Sequence, residues 1–302
     1  MNNSRRTFLK NSALAIAGTA VFTNKIFAAA RGKEVTGIQL YSVRDDMTKD
    51  PLGTLKQIAA MGYKNVEHAG YENRKFYGQS AAEFKKTLNG LGLKMPSGHS
   101  VMEKDHWDES KKDFTDAWKH TVEDSAAAGQ RFLISPWLDD DVRGSLDDFK
   151  RYMDVFNKCG ELCKKSGMKF GYHNHNFDFT VKLGGKRLYD LMLEFSNPAL
   201  VVQQIDIGNM YGVGGRALDL IQQYPGRFPL MHVKDEMKSS KGEDGYESTV
   251  LGKGVLPIKE IMDAGRKTGG TDYFIIEQED YQDKTPLACA REDYDAMKKW
   301  GY

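Results

Sequence analysis

Short apolar runs alternate with longer amphipathic stretches along most of the chain. The runs 228–231 and 273–276 are examples, since each is almost entirely apolar on successive residues. Such runs are typical of parallel strands that are buried on both faces. The pattern predicts strands near 35–42, 63–69, 94–99, 131–136, 169–175, 201–207, 228–234 and 272–279, and helices near 52–61, 80–91, 108–128, 145–166, 186–195, 214–223, 257–267 and 288–299.

Glycines mark the ends of several predicted helices. At Gly62, Gly92, Gly129 and Gly167, one residue follows the glycine, and a basic residue then begins the next predicted strand. Glycine adopts the left-handed conformation that ends a helix, so this recurring pattern indicates repeated α/β units. No glycine-rich phosphate turn follows the first strand. Eight strands alternating with eight helices therefore favour a closed (β/α)8 TIM barrel of the α/β class over an open doubly wound sheet.

The N-terminus has the features of an export signal. Arg5 and Arg6 precede an apolar stretch, 13–22, and three alanines at 28–30. This order predicts a cleavable twin-arginine signal peptide over residues 1–30, export to the periplasm, and one TIM-barrel domain over 31–302. The apolar stretch is shorter than the ~20 residues that span a bilayer, so we expect no stable membrane insertion after cleavage. A retained signal would instead tether the protein to the membrane.

Charge and cysteine content narrow the classes of function. The full chain carries a net charge of +1, and residues 1–30 contribute four basic and no acidic side chains, so the charge falls to −3 without them. A mildly acidic body argues against a nucleic-acid partner.

The chain has three cysteines. Cys159 and Cys163 fall on one helical face, and we expect buried thiols rather than a disulfide framework.

Ionisable side chains recur where the predicted strands end. Because strand side chains alternate between faces, His173 shares a face with His175, His232 with Lys234, and Glu277 with Glu279. Glu67 and Asp206 end two further strands. Carboxylates and imidazoles at the C-terminal ends of barrel strands predict a divalent-metal site at the catalytic end of the barrel.

The motifs HNHNFDF, IDIGN, HVKD and IIEQE occur in that order on the last four strands. In this respect the chain resembles the sugar phosphate isomerase/epimerase superfamily, xylose isomerase-like TIM barrels that include ketose 3-epimerases, inosose dehydratases and endonuclease IV. The resemblance implies a bound divalent ion, often manganese or cobalt, with ligands at Asp206, His232 and Glu277. A mixed nitrogen and oxygen donor set also suits zinc or iron. Where the epimerases carry a glutamate on strand five, this chain has His173, and His175 is the alternative ligand.

The remaining site residues follow from the same comparison and from strand parity. Asn209 stands where the epimerases carry a substrate-binding histidine, so a two-glutamate epimerisation is in doubt. Proton transfer then falls to other side chains on the catalytic face, and an indole offers an apolar face to a sugar ring. The predicted catalytic residues are Glu67, His175, Lys234 and Glu279, and the predicted substrate-binding residues are His99, Trp137 and Asn209.

These features predict an exported, metal-dependent sugar isomerase or epimerase. Such an enzyme removes a proton next to a carbonyl, and the metal ion stabilises the resulting enediolate. The alternatives are a lyase or dehydratase that eliminates from an oxidised sugar or 3-keto-glycoside at the same site, and a periplasmic sugar-binding barrel without catalysis. Whether copies of the chain form a homo-oligomer stays open. The polar segment 236–254 is expected to be either a wall of the site or a disordered loop.

Overall fold

A computed structural model describes residues 36–242 and 244–302. The proposed signal peptide therefore lies outside the described residues. Within them, eight parallel strands form a closed barrel in which each strand pairs with its neighbours in the chain. The barrel strands are β1 (Thr36–Gln39), β2 (Asn65–His68), β3 (Lys94–His99), β4 (Phe132–Ser135), β5 (Lys169–His173), β6 (Val201–Asp206), β7 (Leu230–Val233) and β8 (Tyr273–Ile276). This architecture confirms the predicted (β/α)8 barrel.

Helices connect the barrel strands, as the alternating pattern predicted. They are α1 (Arg44–Lys49), α2 (Pro51–Met61), α3 (Ala81–Gly90), α4 (Asp116–Ala128), α5 (Leu146–Lys165), α6 (Phe177–Thr180), α7 (Leu188–Phe195), α8 (Ala217–Gln223), α9 (Ile258–Ala264) and α10 (Pro286–Trp300). Short 3-10 segments lie at Leu40–Val43, Lys104–His106 and Asp140–Arg143, and a π turn at Gly265–Gly269 extends α9. Gly62 and Gly129 end their helices in the left-handed conformation, with φ of 110° and 99°.

The predicted helix over 108–128 is wrong in its first turns. Residues Trp107–Asp108 and Asp113–Phe114 instead form a two-stranded hairpin, and α4 begins only at Asp116. The Asp108 carboxylate accepts hydrogen bonds from the backbone N–H groups of Ser110 and Lys111. This local turn competes with the helical hydrogen-bond pattern and ends any helix there.

The segment after β7 is a second hairpin rather than an irregular loop. Residues Asp235–Lys238 pair antiparallel with Tyr246–Thr249. The Asp235 carboxylate accepts the backbone N–H groups of Gly252, Gly254 and Leu256, which fixes the returning chain. Of the two expectations for this segment, the structure thus favours a wall of the site over a disordered loop.

The barrel interior changes from apolar to polar along its axis. Phe132, Ile134, Val202, Leu230 and Ile275 form a separate buried cluster contributed by β4, β6, β7 and β8. Further along the same strand faces lie Gln204 and Asp206 on β6, His232 on β7, and Glu277 just after β8. The apolar layer closes one end of the barrel and leaves the polar side chains at the C-terminal end.

The three cysteines agree with the expectation of buried thiols. Cys159, Cys163 and Cys289 are free and buried. Ser80 and Glu83 form a reciprocal capping box at the start of α3. Within the described residues, no helix is both apolar enough and long enough to cross a membrane.

Gly171 on β5 provides a test of the barrel packing. A Cβ atom there would lie 2.6 Å from Ile134 Cδ1 and 2.8 Å from Val202 Cγ2, inside the apolar layer. We expect Gly171→Ala to lower the free energy of unfolding by ~1–3 kcal/mol, because the added methyl overpacks this layer. Gly90→Ala is the matched control, since nothing lies within 4 Å of its Cβ position and alanine favours a helix. Urea denaturation measures both variants, and an unchanged midpoint for Gly171→Ala would contradict the packing account.

Candidate metal centre and active-site mouth

Four potential metal ligands converge at the C-terminal end of the barrel. His173, Asp206 and His232 end or nearly end β5, β6 and β7, and Glu277 directly follows β8. One ligand atom from each side chain lies within 4.8 Å of the others. All four residues are buried. The structure therefore brings together the four side chains that the sequence pointed to as metal ligands.

The His173 ring is oriented by Gln204, which neighbours it on β6. His173 Nδ1 lies 3.1 Å from Gln204 Oε1, and His173 Nε2 lies 3.8 Å from Asp206 Oδ2. An amide oxygen only accepts hydrogen bonds, so Nδ1 donates and the lone pair of Nε2 faces the cluster. Burial, followed by the neighbouring His232 and His99, holds the pKa of His173 well below its usual value. His173 is therefore neutral, as a metal ligand must be.

His232 is oriented in the same way by Glu67. His232 Nε2 lies 2.6 Å from Glu67 Oε1, while its Nδ1 lies 3.1 Å from Glu277 Oε2. Burial alone would lower the pKa of His232, but the carboxylates of Glu277 and Glu67 raise it to about 10. In the metal-free protein the ring is thus an imidazolium between two carboxylates. Loss of the Nδ1 proton would leave a lone pair directed at the cluster.

Glu67 occupies the floor of the site and is completely buried. Its carboxylate oxygens lie 2.8 Å from Gln39 Nε2, 2.7 Å from Gln204 Nε2, 2.6 Å from His232 Nε2 and 3.1 Å from His99 Nε2. Burial alone would raise the pKa of Glu67, but His99 and His232 hold it well below its usual value. A catalytic role for Glu67 stays a prediction. Its contacts are those of a carboxylate that orients imidazole ligands from beneath.

Lys234 lies beside the cluster and is only 1% exposed. Its Nζ is 3.4 Å from Asp206 Oδ2, 3.0 Å from Glu277 Oε2 and 2.5 Å from Glu279 Oε1. It also donates to Asn209 Oδ1 at 2.9 Å. Burial alone would lower the pKa of Lys234, but these carboxylates raise it well above its usual value. The ammonium group is therefore a fixed positive charge at the edge of the cluster.

The side chains present fit a divalent cation. Two imidazole nitrogens and two carboxylates form a donor set suited to zinc, manganese, iron or cobalt. Asp206 Oδ2 is buried and has no hydrogen-bond partner among the described residues, as expected of an oxygen that a cation would satisfy. Asp206, Glu277 and Glu279 also surround the single ammonium of Lys234. A divalent cation would neutralise the excess of two negative charges.

Two cavities that share part of their lining open beside this cluster. The larger, about 910 Å³, is bordered by Tyr41, residues 71–74, α4 and His99. The smaller, about 360 Å³, is bordered by Asn209, Lys234, Glu236 and the hairpin that follows β7. Trp137, His175 and Glu279 line both cavities. The three predicted substrate-binding residues, His99, Trp137 and Asn209, thus all border open space at the mouth.

His175 lies on the cavity wall and not in the ligand cluster. Its ring stacks on Phe177 at 5.7 Å and meets the edge of Trp137 at 5.2 Å. Its Nδ1 is buried and has no hydrogen-bond partner in the described part of the chain. Burial and then Lys234 lower the pKa of His175 to about 3, so the ring is uncharged. Between the two histidines that the sequence left open, the geometry favours His173 as the ligand.

Three polar residues of the site were not predicted from the sequence. Gln39 and Gln204 bind Glu67 from two strands, and Glu236 lines the smaller cavity. A signal for Gln204 was present, because it lies two residues before Asp206 and hence on the same strand face. Gln39 ends the first strand and pairs with Glu67, the penultimate residue of the second. Glutamine carries no charge, so a pattern of ionisable strand ends does not reveal it.

Comparison with known proteins agrees with the barrel fold. The family model described as xylose isomerase-like TIM barrel matches residues 55–300. The chain belongs to this family. Within it, the inosose dehydratase of Bacillus licheniformis is 24% identical over 157 residues, which are 48% of this chain and 51% of that protein. The inosose dehydratase of Clostridium perfringens is 28% identical over 148 residues, or 44% and 48% of the two chains. The chain thus spans about half the length of the curated relatives it matches.

Solved structures resemble the fold over nearly its whole length. A sugar phosphate isomerase/epimerase from Parabacteroides distasonis has a TM-score of 0.74 and 26% identity, covering 88% of this chain and 98% of that chain. L-ribulose 3-epimerase has a TM-score of 0.66 and 14% identity, with 88% and 94% covered. The IOLI protein, crystallised with a zinc atom, has a TM-score of 0.64 and 15% identity, with 88% and 96% covered. At such low identity the last two resemblances concern the fold alone.

Removal of either carboxylate ligand should abolish metal retention. We expect purified Asp206→Ala and Glu277→Ala proteins to lose the divalent ion on dialysis, because each variant takes one of four donors from the cluster. Glu72→Ala is the matched control, since this exposed carboxylate borders the same mouth but lies outside the cluster. Elemental analysis gives the metal stoichiometry. Stoichiometric metal in both cluster variants would show that the ligands are other residues.

Metal binding should release a proton from His232. Because the pKa of this ring is raised to about 10, its Nδ1 is protonated below that pH and must lose the proton to coordinate an ion. The apparent affinity should therefore rise with pH, by about tenfold per unit between pH values of about 7 and 9. Calorimetric titration with Mn²⁺ in buffers of different ionisation enthalpy measures the proton count. An affinity that does not change with pH would contradict this protonation state.

Proposed function

We propose that this protein is a divalent-metal-dependent enzyme that removes a proton next to the carbonyl of a sugar. The observation that carries the proposal is the cluster of His173, Asp206, His232 and Glu277, with one ligand atom of each within 4.8 Å of the others. A divalent ion held there would supply Lewis acidity to a substrate carbonyl. Manganese, cobalt, zinc and iron all suit the donor set, and export to the periplasm remains part of the proposal.

Glu279 is the base in this proposal. Among the carboxylates around Lys234, its side chain is 41% exposed, whereas Asp206 and Glu277 are almost completely buried. It also lines both cavities, so its carboxylate can reach a bound sugar from the mouth. Lys234 holds Glu279 Oε1 at 2.5 Å and places a positive charge where an oxyanion would develop. Glu279 would take up the proton while Lys234 keeps its own.

The number of accessible side chains that can act as a base favours elimination over epimerisation. Epimerisation with inversion requires a proton to leave one face of the substrate and another to reach the opposite face. At the strand-five position this chain has His173 rather than a glutamate, and Glu67 is already engaged by four side-chain nitrogens. One accessible carboxylate is enough for removal of a proton followed by loss of a β-substituent. The resemblance to inosose dehydratases supports the same outcome.

Isomerisation at the same site is the second candidate. A single carboxylate can remove a proton and return it to the adjacent carbon, so Glu279 alone would suffice for that reaction. The overall similarity to a sugar phosphate isomerase/epimerase supports it. Both candidates share the first proton transfer and differ only in whether the proton returns to carbon or a β-substituent departs.

The charges around the two cavities support an unphosphorylated sugar as substrate. Among the described residues that line them, the arginine and lysine side chains are Arg74 and Lys234. Arg74 is paired with Asp124 through two nitrogens, at 3.0 and 2.8 Å, and Lys234 is surrounded by carboxylates. Neither is free to bind a phosphate group. The exposed indole of Trp137, 40% accessible, offers an apolar surface to the face of a sugar ring.

Glu279→Gln should separate proton transfer from binding. We expect the variant to lose ~10²–10⁴-fold in exchange of the α-proton with D₂O, because the amide cannot accept that proton. Free ketoses and 3-keto-glycosides are the two substrates to compare. Product mass distinguishes elimination, which releases a fragment, from isomerisation, which leaves the mass unchanged.

The control for this experiment is Glu72→Gln, which should exchange the proton at the wild-type rate. Wild-type exchange in Glu279→Gln would contradict the assignment of the base. Thermal stabilisation of the wild-type protein by these sugars with no exchange at all would instead point to the sugar-binding protein without catalysis.

A further inference from the structure

Glu236 is a buried carboxyl group at the wall of the smaller cavity. It lies in the strand Asp235–Lys238, where successive side chains point to opposite faces. Asp235 faces the returning chain and binds the backbone N–H groups of Gly252, Gly254 and Leu256. This anchoring turns Glu236 toward the other face, where it lines the cavity with Lys234 and Asn209.

The approach of Glu236 to the site depends on a glycine in the turn after β6. A Cβ atom at Gly208 would lie 2.7 Å from Glu236 Oε1 and 2.6 Å from Lys234 Cγ. Any larger side chain would displace one of these two groups. Gly208 follows Asp206 by two residues, and its backbone N–H donates to Asp206 Oδ1 at 2.8 Å. The carboxyl group of Glu236 is thus packed against the turn that carries a candidate metal ligand.

The carboxyl group of Glu236 is nearly buried and borders the smaller cavity. The residue is 7% exposed. The neighbouring ammonium group of Lys234 is taken up by Asn209, Asp206, Glu277 and Glu279. A nearly buried carboxyl group next to open space is a candidate to meet a bound ligand.

Its surroundings favour the protonated form. Burial raises the pKa of Glu236 to about 8, Lys234 opposes this rise, and the negative charges of Asp206, Glu279 and Asp280 add to it. At neutral pH the group therefore presents an O–H donor to the cavity rather than a carboxylate. A neutral carboxylic acid in an apolar or crowded site is a known device for general acid catalysis.

We propose that Glu236 is the general acid that protonates the departing oxygen when a β-substituent is eliminated from the sugar. This inference rests on the proposed function, in which Glu279 removes the proton next to the carbonyl. It assigns the smaller cavity to the leaving group and the carboxyl of Glu236 to its oxygen. The leaving group is then a hydroxyl or an O-linked substituent on the carbon β to the carbonyl.

The proposed reaction balances without any further reactant. Glu279 takes the α-proton, and the electron pair of that C–H bond forms the new carbon–carbon double bond. The bond from the β-carbon to oxygen breaks, and its electron pair stays on the oxygen. Glu236 gives its proton to that oxygen, so the products are an unsaturated ketone and an alcohol or water. The two carboxyl groups exchange protonation states and are restored through solvent.

The leaving group itself provides the test. A methyl 3-keto-glucoside and a nitrophenyl 3-keto-glucoside share the α-proton but differ in how much their departing oxygen needs a proton. We expect Glu236→Gln to cleave the methyl compound ~10²–10⁴-fold more slowly than wild type, because an amide donates no proton to an alkoxide. Cleavage of the nitrophenyl compound should change by less than about tenfold, because nitrophenolate leaves without protonation. Exchange of the α-proton with D₂O should persist in the variant.

Glu194→Gln is the control. Glu194 is an exposed carboxylate on α7 that accepts a hydrogen bond from Lys186 and lines neither cavity. This variant should cleave both compounds at the wild-type rate. Metal content and the thermal midpoint of all three proteins show whether Glu236→Gln is folded and loaded. Glu236→Asp, which keeps an acidic group, should recover part of the methyl-glycoside activity.

The outcomes separate this inference from the function on which it rests. If folded, metal-loaded Glu236→Gln cleaves both glycosides like wild type, or slows both equally, Glu236 is not the acid although the elimination stands. If wild type exchanges the α-proton but returns products of unchanged mass, the enzyme isomerises and the acid role is overturned. If wild type neither exchanges nor cleaves, the proposed function fails and the inference falls with it.

Discussion

The arrangement of the site depends on one buried carboxylate, Glu67. It connects three other strands to β2, because Gln39 on β1, Gln204 on β6 and His232 on β7 all bind its two oxygens. A carboxylate accepts hydrogen bonds but cannot donate them, so the His232 nitrogen that faces Glu67 must carry a hydrogen. That constraint directs the other ring nitrogen toward the metal cluster. Gln204, itself held by Glu67, orients His173 in the same manner.

Charge balance explains why lysine and carboxylates can be buried together at this end of the barrel. An isolated buried ion is costly, and Lys234 is tolerated because three carboxylates lie within 3.4 Å of its Nζ. The remaining negative charge then makes the cluster attractive to a divalent cation. The apolar layer beneath, which includes Phe132 and Ile275, keeps water from reaching these groups from the other end of the barrel.

Much of this could be predicted from the sequence, because a barrel strand places alternate residues on one face and its last residues at the catalytic end. That rule located His173, Asp206, His232 and Glu277 without any knowledge of contacts. It could not foresee that Glu67 would be enclosed by four donors, since this depends on the closure of the barrel across strands distant in the chain. Residues 108–115, which precede α4, were misassigned to a helix because the local turn at Asp108 overrides the helical pattern.

The role of Glu236 lay beyond sequence reasoning for a different reason. Nothing in the polar segment 236–254 distinguishes this glutamate from Glu247, and only the anchoring of Asp235 turns it inward. Its environment arises from the fold of the hairpin against Gly208. Residues placed by regular barrel strands are therefore predictable here, while residues placed by connecting segments require the structure.

The central claim is that a single divalent ion is held by His173, Asp206, His232 and Glu277. Its most direct measurement is the anomalous difference density of a crystal soaked with Mn²⁺, recorded at the manganese absorption edge. The account predicts one strong peak at ~2.0–2.2 Å from a ligand atom of each of the four side chains. No peak in the barrel mouth, or a peak bound by other residues while these four keep their hydrogen bonds, would contradict it.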